Sequence, residues 1–238
     1  MKIKIEERGN LYTYVFLICF AGVGAFYGDS LGYSYPDLRV WNVVNILIMC
    51  IGIPFVFLQS KAGLPNFWQN NVSSRNRFIR PFLIGLSFGL LDVIVFKIIL
   101  HPEPYQELPP FLQPFPYSIF LYVSGAFEIE VFYRLIPLTF ILLLGAFYKN
   151  GRYPSYFFWA GAILTSLREP LEQLGNNALP VVIYALITGF AMNLLQAIYF
   201  KKAGFLSSLT LRLGHYLLWH VLLGVYVEFY ELVLKKKE

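Results

Sequence analysis

Residues 126–138 read AFEIEVFYRLIPL, an oily run that nevertheless carries Glu128, Glu130 and Arg134. An ionisable side chain in such surroundings costs about 3 kcal/mol, so it turns inward, takes a partner and marks a site. Glu130 and Arg134 are four residues apart and share one face of a helix. A guanidinium there could hold the carboxylate as a general base for water. Glu128 points about 160° away from Glu130 on a 3.6-residue turn, so the two carboxylates form no local pair. Pro137 follows one turn after Tyr133 and can kink the helix or leave a carbonyl free. The structural alternative is a buried Glu–Arg pair that only locks helices together.

Two further stretches carry groups of the same kind. In SLREPLEQLGNN, residues 166–177, Glu169 shares a helical face with Glu172 and with Gln173. Pro170 is tolerated where a helix restarts, and Arg168 reads as a polar helix end at the membrane interface. In LRLGHYLLWH, residues 211–220, Arg212, His215, Tyr216, Trp219 and His220 fall on one stripe of a regular helix. His215 and His220 sit on opposite flanks of that stripe, about 140° apart, which makes them a poor pair for one metal ion. No HExxH spacing occurs, so neither a metal nor another cofactor is expected.

The elements that must position these groups are apolar spans. The chain of 238 residues is 57% hydrophobic and 14% charged, against about 25% charged in a soluble domain. Seven apolar segments run roughly over 11–28, 40–59, 80–100, 117–148, 153–168, 178–200 and 205–234. The fold class is all-α: a single integral membrane domain over 1–238, built as a polytopic helical bundle whose polar residues face an intramembrane cavity. The short alternating strands of a β-barrel are not seen. The last segment, about 45 Å long as one helix, reads as two pieces, near 205–213 and 215–234, which raises the count from seven segments to eight. The proline-rich stretch HPEPYQELPPFLQPFP, residues 101–116, is no regular helix and reads as a structured connection or lid.

Loop charge orients the bundle. Lys61, Arg75, Arg77 and Arg80 follow the second span, Lys149 and Arg152 the fourth, and Lys201 and Lys202 the sixth. Asp29, Asp37, Glu103 and Glu107 lie in the loops between. This alternation puts the N-terminus and the basic loops in the cytoplasm of a cell membrane. The net charge of +5 is thereby explained without nucleic acid, and the expected partners are membrane lipids and a membrane-associated peptide or protein. The N-terminal MKIKIEERGN with its following span reads as an anchor, because no small-residue cleavage site is evident. Cys19 and Cys50, each within an apolar run, read as small hydrophobes. Asp92 with Lys97, and Asn193 with Gln196, read as polar glue between helices, Asn193 also being a candidate for the cavity wall.

Together, the order and spacing of the three polar stretches resemble the CPBP family, the CAAX prenyl proteases and bacteriocin-processing membrane proteins. The resemblance covers roughly residues 117–225, a CPBP-like core. On the family's EExxxR motif, Glu130 takes the second glutamate and Arg134 the arginine, while the first glutamate falls on Ile129. On FxxxH, EPLEQ places Gln173 at the histidine, and a shifted register places Arg168 there. On HxxxN, His215 matches the histidine, Trp219 stands where Asn or Asp would be, and His220 follows one residue on. The resemblance implies an intramembrane glutamate peptidase, hydrolysing a prenylated or leader-bearing peptide tethered to the membrane. Glu130, Arg134, Glu169, His215 and His220 would be its catalytic set, and Arg212, Tyr216, Trp219, Gln173 and Asn193 would bind substrate. Two other classes stay open: an inactive relative serving as a binding, immunity or scaffolding protein, and a proton-coupled carrier. A carrier would be expected to show repeat symmetry, which is not evident.

Overall fold

The computed structural model describes residues 5–32, 38–172 and 178–235, and it is a helical bundle. Seven long helices make it up. They are α1 (Ile5–Leu31), α2 (Val43–Lys61), α3 (Arg75–Ile99), α4 (Tyr117–Phe147), α5 (Pro154–Glu172), α6 (Leu179–Ala203) and α7 (Phe205–Leu234). All but α5 are long and apolar enough to cross a membrane. The outward faces are oily, as lipid contact requires: Phe26, Leu83, Ile98, Leu164 and Ile187 are all more than half exposed.

The last apolar stretch is one continuous helix, contrary to the expected break into two pieces. No residue in it forces a break. Gly214 lies at the suspected joint, but it serves to let two helices touch. A methyl group on Gly85 would strike the Leu211 carbonyl, and one on Gly214 the Phe82 carbonyl. Helices α3 and α7 therefore run backbone against backbone along a strip of small residues, the usual way for membrane helices to pack closely.

Several helices contain a wider turn, closed by bonds from i to i+5. Such turns occupy Val131–Leu135 in α4 and Leu217–Leu222 and Val227–Glu231 in α7. The turn in α4 has a visible cause in the sequence. Pro137 has no N–H to give the Tyr133 carbonyl, and its ring crowds that carbonyl. The freed Tyr133 oxygen is taken instead by Arg134 Nη1 at 2.8 Å.

The core is aromatic. Tyr14, Phe67, Phe127, Phe200 and Phe205 are fully buried in one cluster that joins α1, α4, α6 and α7. Tyr14 meets Phe127 edge-on at 5.0 Å, and Phe67 stacks on Phe205 at 4.9 Å. Gly204, at φ +86°, makes the sharp turn between α6 and α7. That turn lays the two helices side by side and sets Asn193 and Gln196 against Arg212.

The segment 101–116 forms no helix, as its prolines require. It is a strap across one end of the bundle, tied mainly by residues of α7. Tyr105 N–H donates to Glu231 Oε2 at 2.8 Å, and Phe115 N–H to Glu228 Oε2 at 2.8 Å. Lys97 Nζ pairs with Glu231 Oε1 at 2.8 Å and donates to the Glu103 carbonyl at 2.7 Å. Burial, and then the nearby Glu231 carboxylate, raise the Tyr105 phenol above its ordinary pKa.

Candidate functional site

Two polar layers lie in the middle of the bundle. The inner one is a buried knot of four charges. Glu130, Arg134 and Arg212 have no exposed surface, and Glu169 is nearly buried. Arg212 Nε pairs with Glu130 Oε1 at 3.0 Å. The other end of the same guanidinium grips Glu169 with two parallel bonds of 2.8 and 2.7 Å. Ser208 donates to the remaining Glu130 oxygen. Such a fork-to-carboxylate fit gives geometric specificity as well as energy.

The expected Glu130–Arg134 pair is therefore not made. Arg134 reaches past Glu130 to α5 and α6. It donates to the Asn193 carbonyl at 3.0 Å, to Asn193 Oδ1, and to Gln196 Oε1 at 3.1 Å. The two part because each finds a better partner on another helix: Arg212 of α7 takes Glu130, while Asn193 and Gln196 of α6 take Arg134. Glu130 answers to Arg212, a residue 82 positions away. Glu128 is half-buried and takes no part in the knot. This agrees with its pointing away from Glu130.

The outer layer lines a cavity of about 650 Å³ between α3, α6, α7 and the strap. Asp92, Glu169, Tyr184, Asn193, Arg212, His215, Tyr216, Trp219 and His220 all contribute to its wall, with Phe88, Phe96 and Phe111. His215 Nε2 meets Asp92 Oδ2 at 2.6 Å, and Tyr184 donates to Asp92 Oδ1 at 2.8 Å. The glycine contact between α3 and α7 makes this possible. Gly89, one turn before Asp92, lies so close to His215 that an added methyl would fall 2.7 Å from its carbonyl oxygen. His215 Nδ1 is buried and has no partner.

His215 and His220 are close neighbours, with ring centroids 6.3 Å apart. A regular helix would hold them about 140° apart. The wide turn at Leu217–Leu222 has i-to-i+5 closure, which tends to bring residue 220 over residue 215. His220 also stacks on Tyr122 at 4.2 Å and almost parallel, and its Nδ1 lies 2.8 Å from the Phe111 carbonyl. Trp219 stacks on Phe111 at 5.1 Å.

Of the residues singled out in the sequence, Glu169, Asn193, Arg212, His215, Tyr216, Trp219 and His220 share the cavity wall. Glu130 and Arg134 lie behind it. Gln173 falls outside the described residues. Arg168 sits at the end of α5, paired with Glu172 at 2.8 Å, about half exposed and away from the cavity. Asp92 was legible only as helix glue, and it emerges as the partner of His215. The signal was the run GLSFGLLD, residues 85–92, with two glycines four apart and an acid one turn on. Among the described residues, no three His, Cys, Asp or Glu side chains gather as metal ligands would. The arrangement can hold an oriented imidazole, a charged wall and aromatic sides around a guest. No family model, no curated protein and no solved structure matches this chain.

Proposed function

We propose that this integral membrane protein is an intramembrane hydrolase of the CPBP type, cutting a membrane-tethered peptide in the cavity behind the strap. The observation that carries this reading is the Asp92–His215 pair on the wall of a half-enclosed, mostly apolar cavity. In the proposed reaction Asp92 accepts a hydrogen bond from His215 Nε2–H, leaving Nδ1 as the base. Nδ1 is closed off in this structure, so the guest must open the wall beside it before Nδ1 takes a proton from water. Hydroxide then adds to the peptide carbonyl, and the imidazolium returns the proton to the leaving amine. The role first given to Glu130 passes to His215, because both carboxylates of the inner knot are committed to Arg212. Glu130, Arg134 and Arg212 become the frame that fixes α4, α5 and α7. Tyr216, backed by the sealed Arg212, would meet the polar end of the guest, and Trp219 with Phe111 its apolar part.

The basic loops point to a cytoplasmic N-terminus, and the strap then covers the cavity from the opposite side of the membrane. A lipid-anchored or leader-bearing peptide would reach the site along that leaflet.

A second reading is binding without hydrolysis, favoured by Ile129 at the first motif glutamate and by the pairing of both buried glutamates. One experiment separates the two. The purified protein is placed in liposomes with a panel of prenylated and leader-bearing peptides, and cleavage and retention are both measured. Cleavage that falls by about 10²–10⁴-fold in His215→Gln supports the hydrolase. Peptide retention with no cleavage by the unaltered protein supports binding alone.

A further inference from the structure

His220 is the least explained group in the cavity, and its surroundings define its protonation. Its Nδ1 lies 2.8 Å from the Phe111 main-chain carbonyl. A carbonyl can only accept, so Nδ1 must carry the proton and Nε2 must keep its lone pair. Tyr122 donates to the same carbonyl at 2.6 Å, and its ring lies flat against the His220 imidazole, which fixes the ring plane. His215 holds the opposite form, with Nε2 facing the Asp92 carboxylate. Two imidazoles 6.3 Å apart are thereby held in opposite tautomers, each with one nitrogen left to accept.

The carbonyl that sets His220 belongs to the strap, and the strap has its own anchors. Glu231 receives Tyr105 N–H and pairs with Lys97, which also holds the Glu103 carbonyl. Glu228 receives Phe115 N–H. These two bonds flank Phe111 on either side along the strap. Lys97, Glu228 and Glu231 do not line the cavity themselves; Lys97 and Glu231 reach its wall through Tyr105, whose ring lies 4.5 Å from the Lys97 ammonium and whose N–H donates to Glu231.

We propose that Phe111 is a positioning residue for His220, acting through its main-chain carbonyl, and that Lys97, Glu228 and Glu231 set the tautomer of His220 by fastening the strap. The proposal deepens the hydrolase reading, since it presents His220 Nε2 to the reacting water or leaving group. Its test needs no hydrolysis and so stands or falls apart from that reading.

The chain has three histidines, His101, His215 and His220, so 15N-histidine labelling gives few imidazole signals, assigned by single His→Gln variants. In bilayers the unaltered protein is expected to show His220 protonated at Nδ1 alone and His215 at Nε2. The variant Lys97→Met/Glu231→Leu removes the fastening without leaving a lone buried charge. There a second His220 signal, protonated at Nε2, is expected, with His215 unchanged. His101, itself on the strap and bonded to the Glu103 carbonyl at 2.9 Å, reports the release. Should the pair variant fail to fold, Glu228→Ala loosens the other end and is read the same way. Two results would overturn the proposal: an Nε2-protonated His220 in the unaltered protein, or an unmoved His220 signal in a variant whose His101 signal shows the strap released.

Discussion

Asp92 on α3 and His215 on α7 meet at 2.6 Å, one turn beyond the point where Gly89 brings the two backbones together. The acid and the imidazole are 123 residues apart in sequence. Their meeting depends on the glycine strip as much as on the pair itself. Asp92→Asn keeps the shape but loses the charge that steadies an imidazolium. Peptide cleavage in liposomes should fall by about 10²–10⁴-fold, while the thermal midpoint in detergent stays near that of the unaltered protein. Undiminished cleavage would remove the pair from the mechanism.

Gly85→Leu tests the frame instead. The new side chain would run into the Leu211 main chain, so α3 and α7 must part. Overpacking of this kind costs about 1–3 kcal/mol. The expected result is a lower thermal midpoint together with lost cleavage, where Asp92→Asn loses cleavage alone.

Glu130 has the opposite signature. Its carboxylate is sealed from the cavity and shared between Arg212 and Ser208. Removing one partner from a buried charge pair costs about 3–5 kcal/mol. Glu130→Gln should therefore appear first as a fall in thermal stability, with turnover per folded molecule largely kept. Normal stability with abolished turnover would return Glu130 to the role of base.

The Lys97–Glu231 pair is open to a double-mutant cycle. Lys97→Met strands Glu231 in a buried place, and Glu231→Leu strands Lys97, the two side chains being 9% and 6% exposed. Each single variant should lose about 3–5 kcal/mol, while the double variant should sit closer to the unaltered protein. Thermal unfolding of all four proteins measures the coupling. Simple additivity of the two losses would show that the residues act separately.

The helices themselves were legible because an oily run of about 20 residues has few other fates. The strap was equally legible from its prolines. The polar residues of the cavity announced themselves through their cost in an apolar setting, so Glu169, Arg212, His215 and His220 could be picked out one by one. Their partners could not. A helical wheel of fixed pitch pairs Glu130 with Arg134 and parts His215 from His220. The wider turn at Leu217–Leu222 undoes the second result, and the arrival of Arg212 from α7 undoes the first. Pro137 marked the wider turn in α4 and the Tyr133 carbonyl that Arg134 takes. The turn at Leu217–Leu222 has no such marker in the sequence.

The knot of Glu130, Arg134, Glu169 and Arg212 sums to zero charge, but its members arrive on different helices. Helix α4 brings Glu130 and Arg134, but Glu130 takes its ion pair from Arg212 of α7. Helix α5 brings the glutamate that Arg212 grips, and that arginine is not made until α7, some 43 residues later. The two parallel bonds that hold Glu169 therefore form only once α7 is in place. The last helix is thus the piece that completes the knot, since both glutamates pair with Arg212. A chain lacking α7 would leave two carboxylates, Glu130 and Glu169, without the guanidinium they share.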